Sequence, residues 1–327
     1  MATQLQHRCF SIDDSVHGTV TCAELVPRER PRGACLFLYG GGGSAAVLEA
    51  LQPLLETELA AQRLPSMVFT CAQVPPFCFY LDDLARGMAW ESLVAKGLVA
   101  AVRQRHDVTE LGLVGNSMGG YGALKIAFSH PGSFAAVAAV APMLEPDMRA
   151  HAVPLRNRFH YPAEVPQALL GSTRDAELFE RDHPATRARQ NTTLLKTHAP
   201  AIWIDAGSRD ACHAHDGAEF LHRVLWQLDI AHEYHLLRDA DHVGPSIPGR
   251  LLQAFRWVGE RLYRQPCAPS AEEHALRTLL APARAQAETR DPTIMRTYGQ
   301  AEHLELHIED GPYAAALGGQ ANAPLST

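Results

Sequence analysis

Within the stretch LGLVGNSMGGYGALKIAF (residues 111–128), Ser117 stands in Gly115-Asn116-Ser117-Met118-Gly119, a G-x-S-x-G pattern between an apolar run and an alanine-rich run. A serine at a sharp strand-to-helix turn presents its hydroxyl clear of the chain, and small residues two before and two after it admit the turn. The helix N-terminus at that point favours developing negative charge. The pattern suits nucleophilic attack on a carbonyl. The same five residues also suit a glycine turn that serves only to pack strand against helix, so the other parts of a serine hydrolase must be sought.

Such chemistry needs an oxyanion site, an acid and a base. LFLYGGGGS ends in Gly40 to Gly43, where backbone N–H groups can approach a substrate oxygen with no side chain between. The donors expected are the N–H of Gly41 and that of Met118, the residue after the serine, with Gly42 read as lining the substrate site. A phosphate-binding loop is the rival reading of the glycines, but neither a Lys-Ser/Thr ending nor a G-x-G-x-x-G accompanies them. In AIWIDAGSRDA, Asp210 falls in the loop beyond a strand and is the expected acid, while Asp205 lies inside the strand end and is expected to cap it or orient the loop. In LLRDADHVGPS, His242 follows the last strand and is the expected base. Position singles it out from the other sixteen of the seventeen histidines.

DACHAHDGAEFLH gathers Cys212, His213, His215 and His222, residue types that can ligate a metal. Neither H-E-x-x-H spacing nor paired C-x-x-C is present, and the segment reads as a solvated helix start. No metal and no cofactor are expected.

The elements that must position these residues alternate. Short apolar strands are expected at 34–44, 66–74, 110–115, 134–142, 200–208 and 232–240, and amphipathic helices at 45–63, 91–105, 119–129, 214–228 and 247–264. Alternation implies right-handed crossovers and a mostly parallel, doubly wound α/β sheet covered on both faces. The first thirty residues read instead as an antiparallel lead-in, with His17-Gly18 as its turn. Residues 143–199, rich in Pro, Arg and His and without clear periodicity, read as an insertion over the active site. A break at RQPCAPS closes a domain at about residue 265. The extension 266–327 reads as a tail or strut, with an oligomer contact or a part in shaping the site as the other readings.

The composition of the 327 residues is that of a soluble globular chain, with 46% hydrophobic and 20% charged residues. A net charge of −7 offers no basic surface for nucleic acid or an anionic membrane. The N-terminus lacks the pattern of a secretory signal, and the longest apolar run, FAAVAAVAPML, falls short of a spanning helix. Seven scattered cysteines do not make a disulfide framework, which points to a cytoplasmic location.

The order Ser117, Asp210, His242 is that of α/β-hydrolases. With LYGGGGS, FYLDDLARGMAWESLV, GNSMGGYGALKIAFSHPGSFAAVAAVAP, GSRDACH and DADHVG, the chain from about residue 30 to 262 resembles the esterase family that includes esterase D, S-formylglutathione hydrolase and tributyrin-type esterases. The resemblance implies an α/β-hydrolase fold, a Ser-His-Asp triad and two-step acyl transfer on a small ester or thioester. It also implies that Tyr80 and Trp90, with Phe79, lie near the acyl or alcohol site. Tyr39 stands where many hydrolases have a histidine before the glycine, and Asn116 and Tyr121 stand where the resemblance to formylglutathione hydrolases implies histidines. An acyltransferase on the same scaffold and a non-catalytic binding module are the alternative functions.

Overall fold

The computed structural model describes residues 4–146, 180–198 and 200–263. Its centre is an eight-stranded sheet: β1 (Leu5–Asp14), β2 (Gly18–Pro27), β3 (Gly33–Leu38), β4 (Val68–Ala72), β5 (Glu110–Asn116), β6 (Ala136–Val140), β7 (Ala201–Gly207) and β8 (Glu233–Leu237). The spatial order is β1-β2-β4-β3-β5-β6-β7-β8, and every neighbouring pair from β4 to β8 is parallel. Only β2 runs against the rest, paired antiparallel with β1 and β4. The expected lead-in is this β1–β2 hairpin, with Gly18 at φ +69° in its turn.

Burial explains the sequence patterns. Every residue of β3, β4 and β6 is buried, as a strand covered on both faces requires, so these strands read as unbroken apolar runs. Edge strand β1 is mostly exposed instead and alternates only in its second half, from Cys9 to Asp14. One face is covered by α1 (Val47–Ala60) and by a later helix over Ser246–Tyr263. Phe255 of that helix packs edge-on against Phe69 of β4 and tilted against Phe37 of β3, with ring centroids 5.4 and 5.5 Å apart. A side chain on Gly112 of β5 would come within 2.4 Å of Val258, so the glycine lets the helix close on the sheet.

The remaining helices follow in chain order. In α2, Trp90–Ser92 leads through a π-helical middle, Leu93–Leu98, into Val99–His106. Then come α3 (Met118–Ser129), α4 (Pro184–Gln190), α5 (Thr192–His198) and α6 (Ala214–Gln227), which makes the Ser246–Tyr263 helix α7. Residues 184–198, expected to be irregular, are thus two short helices; seven residues each are too few to show a periodicity. The rest of the expected insertion, 147–179 and 199, and the extension 266–327 lie outside the described residues. Among the described residues, no helix is long and apolar enough to cross a membrane.

Candidate active site

Ser117 links β5 to α3 with φ 55° and ψ −118°, a conformation that a non-glycine residue holds only under constraint. The constraint is visible in the flanking glycines. A Cβ on Gly115 would lie 2.0 Å from the Gly119 carbonyl oxygen, and one on Gly119 would lie 1.8 Å from that of Leu38. The Ser117 N–H donates to the Val140 carbonyl at 2.9 Å, and its carbonyl accepts from Tyr121 and Met143, each at 3.1 Å. The side chain is half-buried at the carboxyl end of the sheet.

His242 and Asp210 reach this point from neighbouring loops. His242 lies between β8 and α7, and its Nε2 is 2.9 Å from Ser117 Oγ. Its Nδ1 is 2.8 Å from Asp210 Oδ2, and both side chains are buried. Asp210, in the turn after β7, accepts at Oδ1 from the N–H groups of Cys212 (2.8 Å) and Ala214 (3.3 Å). Burial pushes its carboxyl up. The hydrogen bond and charge of His242, with the two backbone donors, outweigh that and hold it below the ordinary range. With Asp210 ionised, imidazole Nδ1 is the donor, so Nε2 is left as an acceptor for the serine hydroxyl. A hydroxyl held this way can surrender its proton as it attacks.

The glycine loop abuts the serine. A Cβ on Gly40 would stand 3.2 Å from Ser117 Cβ. Gly43 donates to Gly40 in a tight turn at 3.0 Å, and Gly42 takes φ +83° with open space where a side chain would be. Gly41 is covered by the Phe77 ring, 2.6 Å from where its Cβ would stand. Phe77 itself has φ 55°, and Phe79 and Tyr80 also lie in the left-handed region, so a strained aromatic segment backs the loop. Met118 opens α3, so its N–H has no partner inside the helix.

Tyr80 and Trp90, expected at the acyl or alcohol site, are packed more deeply than that role suggests. Tyr80 is 2% exposed, its ring lies against Gly122 of α3, and its hydroxyl donates to the Tyr39 carbonyl at 3.3 Å. Trp90 stacks on His17 at 3.5 Å between centroids. Short-range aromatic spacing cannot distinguish a ring that faces a substrate from one that supports the wall behind it. His213, His215 and His222 do not converge with Cys212 on a metal site; His222 Nδ1 pairs instead with His232 Nε2 at 2.8 Å. Cys212 lies with Asp210 and His242, and one donor atom from each falls within 4.8 Å of the others.

Sequence reasoning missed Arg250. On α7 it shares the buried face with Leu251, Ala254 and Val258, and a charged residue on an apolar face was the available signal. Its Nε and Nη2 donate to Asp205 at 3.1 and 2.6 Å, and its Nη1 to the Asp241 carbonyl at 2.5 Å. A cavity of about 950 Å³ lined by Arg28, Arg63, Arg256 and Tyr263 lies at the opposite end of the sheet, remote from Ser117.

The architecture is shared with solved structures of low identity. A ferulic acid esterase superposes with a TM-score of 0.64 at 15% identity, covering 79% of this chain and 99% of its own. An S-formylglutathione hydrolase from Agrobacterium tumefaciens gives 0.61 at 21%, covering 80% and 97%. A fluorophosphonate-binding serine hydrolase from Staphylococcus aureus gives 0.63 at 15%, covering 80% and 99%. No curated protein sequence matches the chain. The model of the Esterase family, described as "Putative esterase", matches residues 83–246, half of the chain and the half that holds Ser117, Asp210 and His242. On that match the protein is a member of the esterase family, an enzyme of carboxylesterase type.

Proposed function

We propose that the protein hydrolyses carboxylic esters or thioesters of small acyl groups through an acyl-enzyme on Ser117. His242 takes the hydroxyl proton as Ser117 Oγ attacks the carbonyl carbon, then returns it to the departing alcohol or thiol. Asp210 holds the imidazole in the required tautomer and stabilises its charged form. The N–H groups of Gly41 and Met118 receive the oxyanion. Water activated by His242 then releases the acid. The observation that carries this reading is the unbroken hydrogen-bonded chain from Ser117 Oγ through His242 to Asp210 at a strained strand-to-helix turn. Six free cysteines among the described residues suit a reducing compartment such as the cytoplasm.

The test is hydrolysis of p-nitrophenyl acetate, butyrate and octanoate by the wild type, Ser117→Ala and Asp210→Asn. Turnover is expected to vanish in the first variant and to fall by roughly 10⁴-fold in the second. Equal rates in wild type and Ser117→Ala would sink the assignment.

A further inference from the structure

Three donors of different kinds meet on the acid side of the candidate triad. Asp210 offers a carboxylate, His242 an imidazole nitrogen and Cys212 a thiol, and one donor atom from each lies within 4.8 Å of the other two. Cys212 is partly exposed, while the other two are buried. The positions are pinned from outside the cluster: Asp210 by the Cys212 and Ala214 N–H groups, and the backbone just before His242 by Arg250. Proposed acyl transfer uses the carboxylate and the imidazole and has no use for the thiol.

We propose that these three side chains form an inhibitory site for a thiophilic divalent cation, with Zn²⁺ the fitting ion. Zinc takes nitrogen and oxygen at about 2.0–2.2 Å and thiolate sulfur at about 2.3 Å in a tetrahedron, which sets donor-to-donor separations of roughly 3.3–3.7 Å. The Asp210–His242 contact of 2.8 Å must open slightly, and the sulfur must approach by about 1.5 Å at most. A water fills the fourth position. One Cys-His-Asp set is a donor combination zinc accepts, whereas calcium and magnesium prefer oxygen alone.

The protons balance as follows. The Cys212 thiol releases its proton to solvent when sulfur binds the ion. Asp210 is already ionised. For Nδ1 of His242 to ligate, its proton must leave that nitrogen, and the neutral ring regains a proton at Nε2. Nε2–H then points at Ser117 Oγ, so the nitrogen that should accept the hydroxyl proton has become a donor. The ion thereby switches off the proposed base without touching the serine. Inhibition rests on the function proposed above; binding of the ion does not.

The test separates the two. Calorimetric titration of the full-length Ser117→Ala protein with ZnCl₂ is expected to show one site, weakened at least about 10-fold in Ser117→Ala/Cys212→Ala. Co²⁺ in place of Zn²⁺ is expected to give a sulfur-to-cobalt absorption band that the Cys212→Ala change removes. In the wild type, ZnCl₂ is expected to stop p-nitrophenyl acetate hydrolysis and EDTA to restore it, with the half-inhibitory concentration raised at least about 10-fold by Cys212→Ala when each protein is compared with its own metal-free rate. The His222–His232 pair is the competing metal site, so His222→Ala is run alongside. Binding that survives Cys212→Ala unchanged, or disappears in His222→Ala, overturns the proposal. Binding lost with Cys212 in a protein that hydrolyses no ester would uphold the metal site and overturn the enzymatic reading alone.

Discussion

Arg250 holds Asp205 with two nitrogens and the carbonyl just before His242 with the third. Asp205, two residues before the end of β7, is wholly buried and also accepts from the Ala141 N–H at 3.1 Å, so one guanidinium ties the carboxyl ends of β6 and β7 to the histidine loop. Burial pushes the Asp205 carboxyl up, and Arg250 only partly offsets it. The pair is thus less a source of stability than a fixed anchor, and removing one partner should be far worse than removing both. Arg250→Leu is expected to cost about 3–5 kcal/mol in a urea titration. Asp205→Asn/Arg250→Met should recover much of that loss while kcat stays low, because Asp241 is still released. Full recovery of kcat in the double variant would refute the anchoring role.

The elbow glycines allow a sharper comparison, because the space around each differs. Gly115→Ala places a methyl 2.0 Å from a backbone oxygen with no flexible neighbour to yield. The cost should reach or exceed the upper end of the ~1–3 kcal/mol range of overpacking. Gly42→Ala meets nothing within 4 Å and carries only the strain of φ +83°, about 1–2 kcal/mol. Gly249→Ala, exposed in α7 with open space around it, should stabilise by about 0.5–1 kcal/mol through helix propensity. Thermal unfolding of the three variants checks the order, and a Gly115→Ala as stable as Gly42→Ala would contradict it.

Gly41 and Phe77 should be coupled. Gly41→Ala drives a methyl into the Phe77 ring and should lower kcat by displacing the proposed oxyanion donor, a loss of roughly 10²-fold if one donor is removed. Phe77→Ala opens that space, so adding it to Gly41→Ala should return part of the lost kcat with little change in KM. A double-mutant cycle on p-nitrophenyl acetate measures this. Strict additivity would mean that the ring does not set the position of the loop.

The sequence made legible whatever depended on period and punctuation. Apolar runs such as ACLFL and AVAAV announced strands buried on both faces, and the glycines around Ser117 announced a turn whose geometry the structure now shows to be sterically obligatory. Asp210 and His242 could be placed because each lies in the first loop beyond a strand end, where parallel topology gathers loops at one edge. What stayed hidden depended on distance in the chain. Arg250 meets Asp205 across 45 residues, and Trp90 stacks on a histidine 73 positions before it, contacts that no local pattern encodes. The two helices in 184–198 were hidden for another reason: at seven residues each, their stability comes from packing rather than from a readable stripe.

His183 gives the fold a pH dependence of its own. It caps α4, and its Nδ1 accepts from the Ala185 N–H at 3.0 Å, a bond that only the ring without a proton at Nδ1 can make. Burial against Tyr121 and Phe220, with a smaller contribution from the Arg189 charge, lowers its pKa from 6.5 to about 4. Between these values the unfolded chain takes up a proton that the folded chain refuses. Stability should therefore fall as pH drops from 6.5 to about 4, by at most about 3 kcal/mol, and this contribution should level off below that. His183→Asn keeps a capping acceptor but does not titrate. Urea midpoints at pH 7, 6 and 5 should therefore fall less steeply in the variant than in the wild type, and identical slopes would show that His183 is not the titrating group.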